Sequence, residues 1–211
     1  MHLGLLAAIW RYPIKSLAGE SLAEGLVRAD GIDGDRERAL VVRDGHPRKG
    51  KTYRGKENAR LHTLDGPEAA LASAREGGVT AQLELDEDER FFDDAPISLI
   101  VDRWLDGLSE HVGYAVEYQR FRPNFFVRAS GPVPLEAALA GLQVQLGEVM
   151  LRVRYPIERC VVTTYDPNGG EADPRILRYV AAERSTWMGI YCDVLRAGIV
   201  RIDDEFELVD R

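Results

Sequence analysis

Cysteine is scarce in this chain, with only Cys160 and Cys192 in 211 residues. Two thiols are too few for a disulfide framework, a four-cysteine zinc site or an iron–sulfur cluster. A reduced, cytoplasmic setting is the simplest reading of that count. Long apolar runs are absent too. The run Leu5 to Trp10 near the N-terminus falls far short of the ~20 apolar residues of a membrane helix. It has no basic region before it and no small-residue cleavage site after it, so neither a secretion signal nor a membrane association is expected. The four histidines, His2, His46, His62 and His111, lie far apart without metal-ligand spacing, and no His-Glu-x-x-His or Gly-x-Ser-x-Gly motif occurs. Cations are outnumbered, 27 against 35 acidic residues, for a net charge of −8. That balance argues against a nucleic-acid partner, which needs clustered cations. It leaves room for a local basic site.

What is present is a globular composition, 45% hydrophobic and 29% charged, able to bury a core. The length suits one large domain or two small ones. Most segments read as strands. Leu3–Arg11 is apolar and ends at Tyr12-Pro13, where proline stops a central strand. Ser21–Arg28 and Ala39–Arg43 are short and rich in Val and Leu, separated by the turn dipeptides Asp30-Gly31 and Asp33-Gly34. Asp44-Gly45 reads as a hairpin turn. Pro67–Arg75 reads as a helix stopped by Gly77-Gly78, and Val79–Leu85 alternates like a strand. The acidic run Asp86–Glu89 marks a boundary or an exposed hairpin tip. Beyond it, Ile97–Val101 predicts a strand, and Asp102 is placed to cap a helix running to about His111. Phe125–Arg128, Leu142–Leu146, Met150–Tyr155 and Val161–Tyr165 predict further strands. A helix is expected near Pro174–Glu183, then a terminal hairpin of Tyr191–Arg196 and Ile199–Leu208. Many short strands with two or three helices predict an α+β, mainly β fold that is barrel-like rather than doubly wound.

One motif is a decoy. Gly50 to Lys56 fits the first seven places of a phosphate-binding loop, GxxxxGK, but Glu57 stands where Ser or Thr should ligate magnesium, and no long helix follows. The surrounding segment keeps some interest, because Arg43 to Arg60 holds seven cations in eighteen residues. They form either a solvated loop or a wall around an anion.

Four other segments present chemistry at turns. Tyr12-Pro13-Ile14-Lys15-Ser16 offers Lys15 and Ser16 at a strand end. Gly34-Asp35-Arg36 presents Arg36 beside a carboxylate. Phe121-Arg122-Pro123-Asn124 presents a guanidinium fork and an amide. Arg159-Cys160, followed by Val-Val-Thr-Thr-Tyr-Asp-Pro, places a cation beside a thiol. Each alone is an ordinary loop. Together they supply four cations suited to phosphate, the neutral groups Ser16 and Asn124, and one soft ligand in Cys160. A cation beside a cysteine favours the thiolate, which is both nucleophile and metal ligand. One cysteine cannot build a metal site alone, so a metal here would arrive with most of its ligands attached, as on a phosphorylated organic cofactor.

The ordered set YPIKS, GDR, RFRPN and RC-VVTTYDP resembles the MOSC domain family, in the form that carries a β-rich N-terminal domain. Amidoxime-reducing components and their bacterial relatives share this arrangement. The resemblance covers nearly the whole chain. It implies residues 1–88 as the β-rich N-terminal domain, residues 89–211 as the MOSC β-barrel domain, and a molybdenum–molybdopterin cofactor between them. By the same resemblance Lys15, Ser16, Arg36, Arg122, Asn124 and Arg159 match cofactor-binding positions, and Cys160 matches the molybdenum ligand and catalytic residue. The implied activity is reduction of N-hydroxylated or related N–O or S–O small molecules. Electrons would come from a separate ferredoxin-, cytochrome- or flavoprotein-like donor protein. One departure stands out: Asp94-Ala95-Pro96 occupies the place where the family often has Thr-Ser-Pro. Two other functions remain open. Cys160 could carry a persulfide as a sulfur-transfer protein, or the basic loop Arg43–Arg60 could serve a non-catalytic anion-binding module.

Overall fold

The structure is a computed structural model that describes residues 1–86 and 90–209. The chain opens with β1 (His2–Arg11), β2 (Glu20–Leu22), β3 (Glu24–Arg28), β4 (Gly31–Ile32) and β5 (Arg38–Asp44). After α1 (Gly66–Glu76) come β6 (Thr80–Leu85), β7 (Ile97–Val101), α2 (Asp106–Val112) and β8 (Phe125–Ala129). The remainder runs α3 (Glu136–Leu139), β9 (Gln143–Leu146), β10 (Val149–Glu158), α4 (Pro174–Glu183), β11 (Trp187–Arg196), β12 (Gly198–Arg201) and β13 (Glu205–Val209).

Seven strands close into a barrel in the order β13-β9-β10-β11-β7-β8-β1, with β1 returning to β13. Closure removes the sheet edges that would otherwise be open to aggregation. Only the β7–β8 pair of the barrel is parallel. A main core of Leu, Ile, Val and Phe side chains fills it, with Leu6, Leu99, Phe125, Leu151, Ile190 and Phe206 fully buried. All five residues of β7 are buried, and Trp104, Leu105 and Leu108 beyond it join the same core. This gives β7 its unbroken apolar run Ile97 to Val101, in contrast to the alternation of a half-exposed strand.

A smaller second core joins Ile14, Leu17, Leu40, Val42, Leu61 and Val79 with the helix α1. Its sheet is β5 paired with β6. α1 buries only Ala70, Ser73 and Ala74, small residues that let it lie close to the strands. The N-terminal strand β1 belongs to the barrel and the main core, whereas β5 and β6 stand apart from both.

Several sequence expectations are corrected. Val161–Thr164 is a single turn of 3-10 helix, not a strand. The Thr163 and Thr164 hydroxyls donate to Cys160 O and Val161 O, a local pairing that competes with a sheet ladder. Asp102 starts a 3-10 turn that leads into α2, and its carboxylate accepts from the Arg103 and Ala129 amides. The expected terminal hairpin does not form: β12 pairs with β3, and β13 pairs with β9 and β1. Asp44-Gly45 does turn the chain back along β5, and the return bonds to Leu40 and Val42 and bridges Val41 to Thr52 without forming a regular strand. Of the acidic run, residues 87–89 lie outside the described residues. No helix among the described residues is long and apolar enough to cross a membrane.

Candidate functional site

The turns singled out in the sequence cluster at one end of the barrel. β1 runs antiparallel to β8, so the segment after β1 meets the segment before β8. β10 runs antiparallel to β11, so Arg159-Cys160 meets the start of β11. The result is a cavity of about 580 Å³ whose wall includes all seven sequence-predicted residues: Lys15, Ser16 and Arg36 from the N-terminal segment, then Arg122, Asn124, Arg159 and Cys160.

The backbone there is strained. Six described non-glycine residues have positive φ, and three of them are Ser16, Arg36 and Arg122, at 71°, 51° and 52°. Each such residue costs on the order of 1 kcal/mol, and surroundings that over-determine the conformation tend to mark functional sites. Here Tyr12 supplies part of that determination. Its buried ring lies under two guanidinium groups, Arg122 at 4.2 Å and Arg36 at 4.7 Å from the centroid. Burial pushes the Tyr12 hydroxyl up to about 12, so the ring stays neutral.

The cations fall into two kinds. Lys15 and Arg36 have carboxylate partners: Lys15 Nζ is 2.6 Å from Asp93, and Arg36 is 2.5 Å from the buried Asp35. Burial works against the Arg36 charge, but Asp35 outweighs it and the pKa ends above its ordinary value. Desolvation would likewise raise the Asp93 carboxyl, yet Lys15, Arg36 and Arg122 hold it below the usual carboxylate range.

Arg122 and Arg159 are different. Among the described residues neither has a carboxylate partner. Arg122 donates to Leu17 O at 2.6 Å, and Arg159 donates to Met188 O at 2.6 Å and Phe121 O at 2.9 Å. Arg159 Nη2 is buried without any hydrogen-bond partner, the one such side-chain atom among the described residues. Burial without a counter-charge pulls both guanidinium groups down to about 10. Gly189 makes room for Arg159: it has φ 84°, and a Cβ there would sit 3.0 Å from Arg159 Nη2 and 2.8 Å from Leu99 O.

Asn124 is a splint more than a free donor. Its Oδ1 accepts from the Ser98 amide and hydroxyl and from Arg36, while its Nδ2 donates to Trp10 O. Cys160 is partly exposed on the cavity wall and free of any disulfide, whereas Cys192 is fully buried and its thiol is pushed up strongly by burial.

Sequence reading missed several parts of this wall. Phe92, Trp187 and Tyr191 give it an aromatic side, and Asp93 caps Lys15. Of the basic loop, only Arg54 and Lys56 reach the cavity; Arg43, Arg48 and Arg60 pair with Glu84, Glu57 and Glu76. The cation density of that loop was the available signal for Arg54 and Lys56. Asp94 also lines the cavity, with its carboxylate accepting from the Tyr155 hydroxyl at 2.5 Å.

Residues 86–207 match the MOSC domain, and residues 3–89 match the MOSC N-terminal beta barrel domain. The chain belongs to the MOSC domain family. No curated protein matches this MOSC chain. Among solved structures, the YUAD protein from Bacillus subtilis aligns over 98% of this chain and 95% of its own, at 16% identity and a TM-score of 0.58. A protein described only as hypothetical aligns over 100% of this chain and 70% of its own, at 13% identity and a TM-score of 0.51. At these identities the likeness shows a shared fold. In this MOSC protein the cavity joins turns from both matched segments: Lys15 and Arg36 come from the first and Arg122, Arg159 and Cys160 from the second, with Arg36 Nη2 donating to Arg122 O at 3.3 Å.

Proposed function

We propose that this MOSC protein holds a molybdenum–pterin cofactor in the barrel-end cavity and reduces N-hydroxylated or related N–O or S–O compounds, taking electrons from a separate partner protein. The observation that carries the reading is the pair of half-buried arginines, Arg122 and Arg159, that lack ion-paired carboxylates among the described residues and share one cavity with a partly exposed cysteine. A buried charge without a counter-charge is costly, and an anionic ligand is the natural compensation.

The residues fit such a group. Lys15, Ser16, Arg36 and Arg122 would hold the phosphate, because ammonium and guanidinium donors bind phosphate oxygens with charge-assisted hydrogen bonds. Asn124 keeps Arg36 in place through its bond at 3.4 Å. Arg159 lends positive charge beside Cys160, whose thiolate would be the protein's ligand to the metal. When bound, the cofactor supplies two-electron oxygen-atom transfer. The aromatic side formed by Phe92, Trp187 and Tyr191 borders the space left for a small substrate and limits its access to water. Asp93, kept ionised by the surrounding cations, holds the Lys15 ammonium at the cavity wall.

The test is turnover. Protein produced in cells that make the cofactor should reduce an N-hydroxyamidine with a chemically reduced viologen dye as donor. Cys160→Ala should abolish that activity. Cofactor-loaded protein with no turnover of any N–O or S–O compound overturns the reading.

A second reading is favoured by the exposure of Cys160. As a sulfur carrier, its thiolate would accept sulfane sulfur from a cysteine desulfurase as a persulfide. Mass spectrometry after incubation with desulfurase and cysteine decides this: added sulfur on Cys160 supports it, and none excludes it.

A further inference from the structure

A second cavity of about 400 Å³ backs onto the first, with Arg120, Arg122 and Val162 common to both walls. It is built from parts of the same turns that the cofactor reading leaves unused. Trp10 and Tyr12 form one side, stacked with centroids 6.4 Å apart and planes 22° apart. His62 and Tyr165 form another, stacked at 5.5 Å and 25°. The His62 ring is held between two backbone carbonyls, Ala59 O and Asp166 O at 2.7 Å, to one of which a neutral imidazole donates. Trp10 is pinned by its indole N–H, which donates to the Tyr118 hydroxyl at 3.0 Å. These rings are therefore fixed before any ligand arrives, which lowers the entropy cost of stacking against them.

The charge in the wall is equally specific. Arg120 is compensated, with Glu117 at 2.8 Å and Asp166 at 3.6 Å. Arg122 is the wall's cation without a carboxylate partner among the described residues. A guanidinium has five N–H donors, and Arg122 gives one to Leu17 O, so donors remain for both cavities.

We propose that this second cavity binds a planar aromatic ligand carrying a single negative charge, an aromatic carboxylate in chemical class, with the ring between the aromatic walls and the charge on Arg122. Binding there requires no molybdenum cofactor, and an occupant would compete with one for Arg122.

Tryptophan fluorescence separates the two cavities. Of the three tryptophans, Trp10 lines the second cavity, Trp187 lines the first, and Trp104 is buried in the core. In Trp187→Phe, 2-naphthoate should quench Trp10 saturably. Cyclohexanecarboxylate, which lacks a flat ring, and 2-naphthalenemethanol, which lacks the charge, should bind about tenfold weaker or worse, the scale of one lost contact. Tyr165→Leu should weaken 2-naphthoate by a similar factor. Asn168→Glu, a change at an exposed rim position that needs no core rearrangement, should weaken 2-naphthoate by setting a like charge at the mouth. Quenching by 2-naphthoate that is absent in Trp187→Phe, displaced equally well by 2-naphthoate and both analogues, or unchanged in Asn168→Glu overturns the proposal.

Discussion

Replacing Arg122 by Met separates a ligand-binding arginine from a structural one. The side chain is half-buried, its pKa is drawn down to about 10 by burial, and no carboxylate forms an ion pair with it among the described residues, Asp35 and Asp93 acting on it only from farther away. A drop of that size corresponds to about 3 kcal/mol of penalty on the charged form in the folded protein. Met keeps most of the stem volume and removes the charge. The replacement forfeits the bond to Leu17 O and the contact over the Tyr12 ring, together about 2–3 kcal/mol. The two effects nearly cancel, so the ligand-free variant should be as stable as the wild type to within about 1 kcal/mol, or about 2–4 °C in Tm. Inorganic phosphate should stabilise the wild type, by about 2.7 kcal/mol at a hundredfold excess over Kd, and should lose most of that effect on Arg122→Met. The sign of the pH dependence follows from the same shift. Above about 10 the folded protein releases the Arg122 proton before the unfolded chain does, so wild-type stability rises with pH in that window. Thermal melts with and without phosphate make the measurement. A variant that melts more than about 6 °C lower and keeps the full phosphate shift refutes the reasoning, because Arg122 would then be a structural residue.

Three other outcomes are expected. Glu136 is 3% exposed, accepts from Arg184 at 2.6 Å and from the Gly189 amide at 3.1 Å, so Glu136→Ala should cost about 3–5 kcal/mol in urea unfolding. Asp173 caps α4, and its bonds to Arg175 hold its carboxyl well below the ordinary range; Asp173→Asn keeps the cap but loses the charge on those bonds, so it should cost up to about 1 kcal/mol at pH 7. The wild type should lose that advantage as pH falls below about 4, since a depressed carboxyl stabilises only while ionised, and the variant should not. Gly189→Ala adds a Cβ within 2.8 Å of Leu99 O at φ 84°, so it should destabilise by more than about 1 kcal/mol and weaken phosphate binding through the displaced Arg159, both read in the same melts.

Local signals carried much of this fold. β1 and β7 announce themselves by apolar runs ended by Pro13 and by the turn at Asp102, and α4 by Asp173 and Pro174 at its start. The failures were of two physical kinds. Val161 to Thr164 has the β-branched composition of a strand, but its threonine hydroxyls satisfy nearby carbonyls and wind it into a 3-10 turn. β12 reads as part of a terminal hairpin, and it pairs instead with β3 in a separate small sheet, a contact between segments far apart in sequence that no local pattern encodes. The site shows the same division. Lys15, Arg36 and Arg122 stand out in the sequence because turns present them within two residues of Pro or Gly, and Cys160 because it follows Arg159; the structure brings all four to one cavity. Nothing local marks Tyr12 or Trp187 for a role, and only the three-dimensional structure reveals that Tyr12 carries two guanidinium groups and that Trp187 faces the cavity.

The central claim is that Arg122, Arg159 and Cys160 together await an anionic, metal-bearing cofactor. Its most direct test is to purify the protein from cofactor-producing cells and assay molybdenum and oxidised-pterin fluorescence on the same sample. The account predicts stoichiometric molybdenum with pterin in the wild type, and pterin with little or no molybdenum in Cys160→Ala. Wild-type protein and Cys160→Ala that both lack metal and pterin would contradict it.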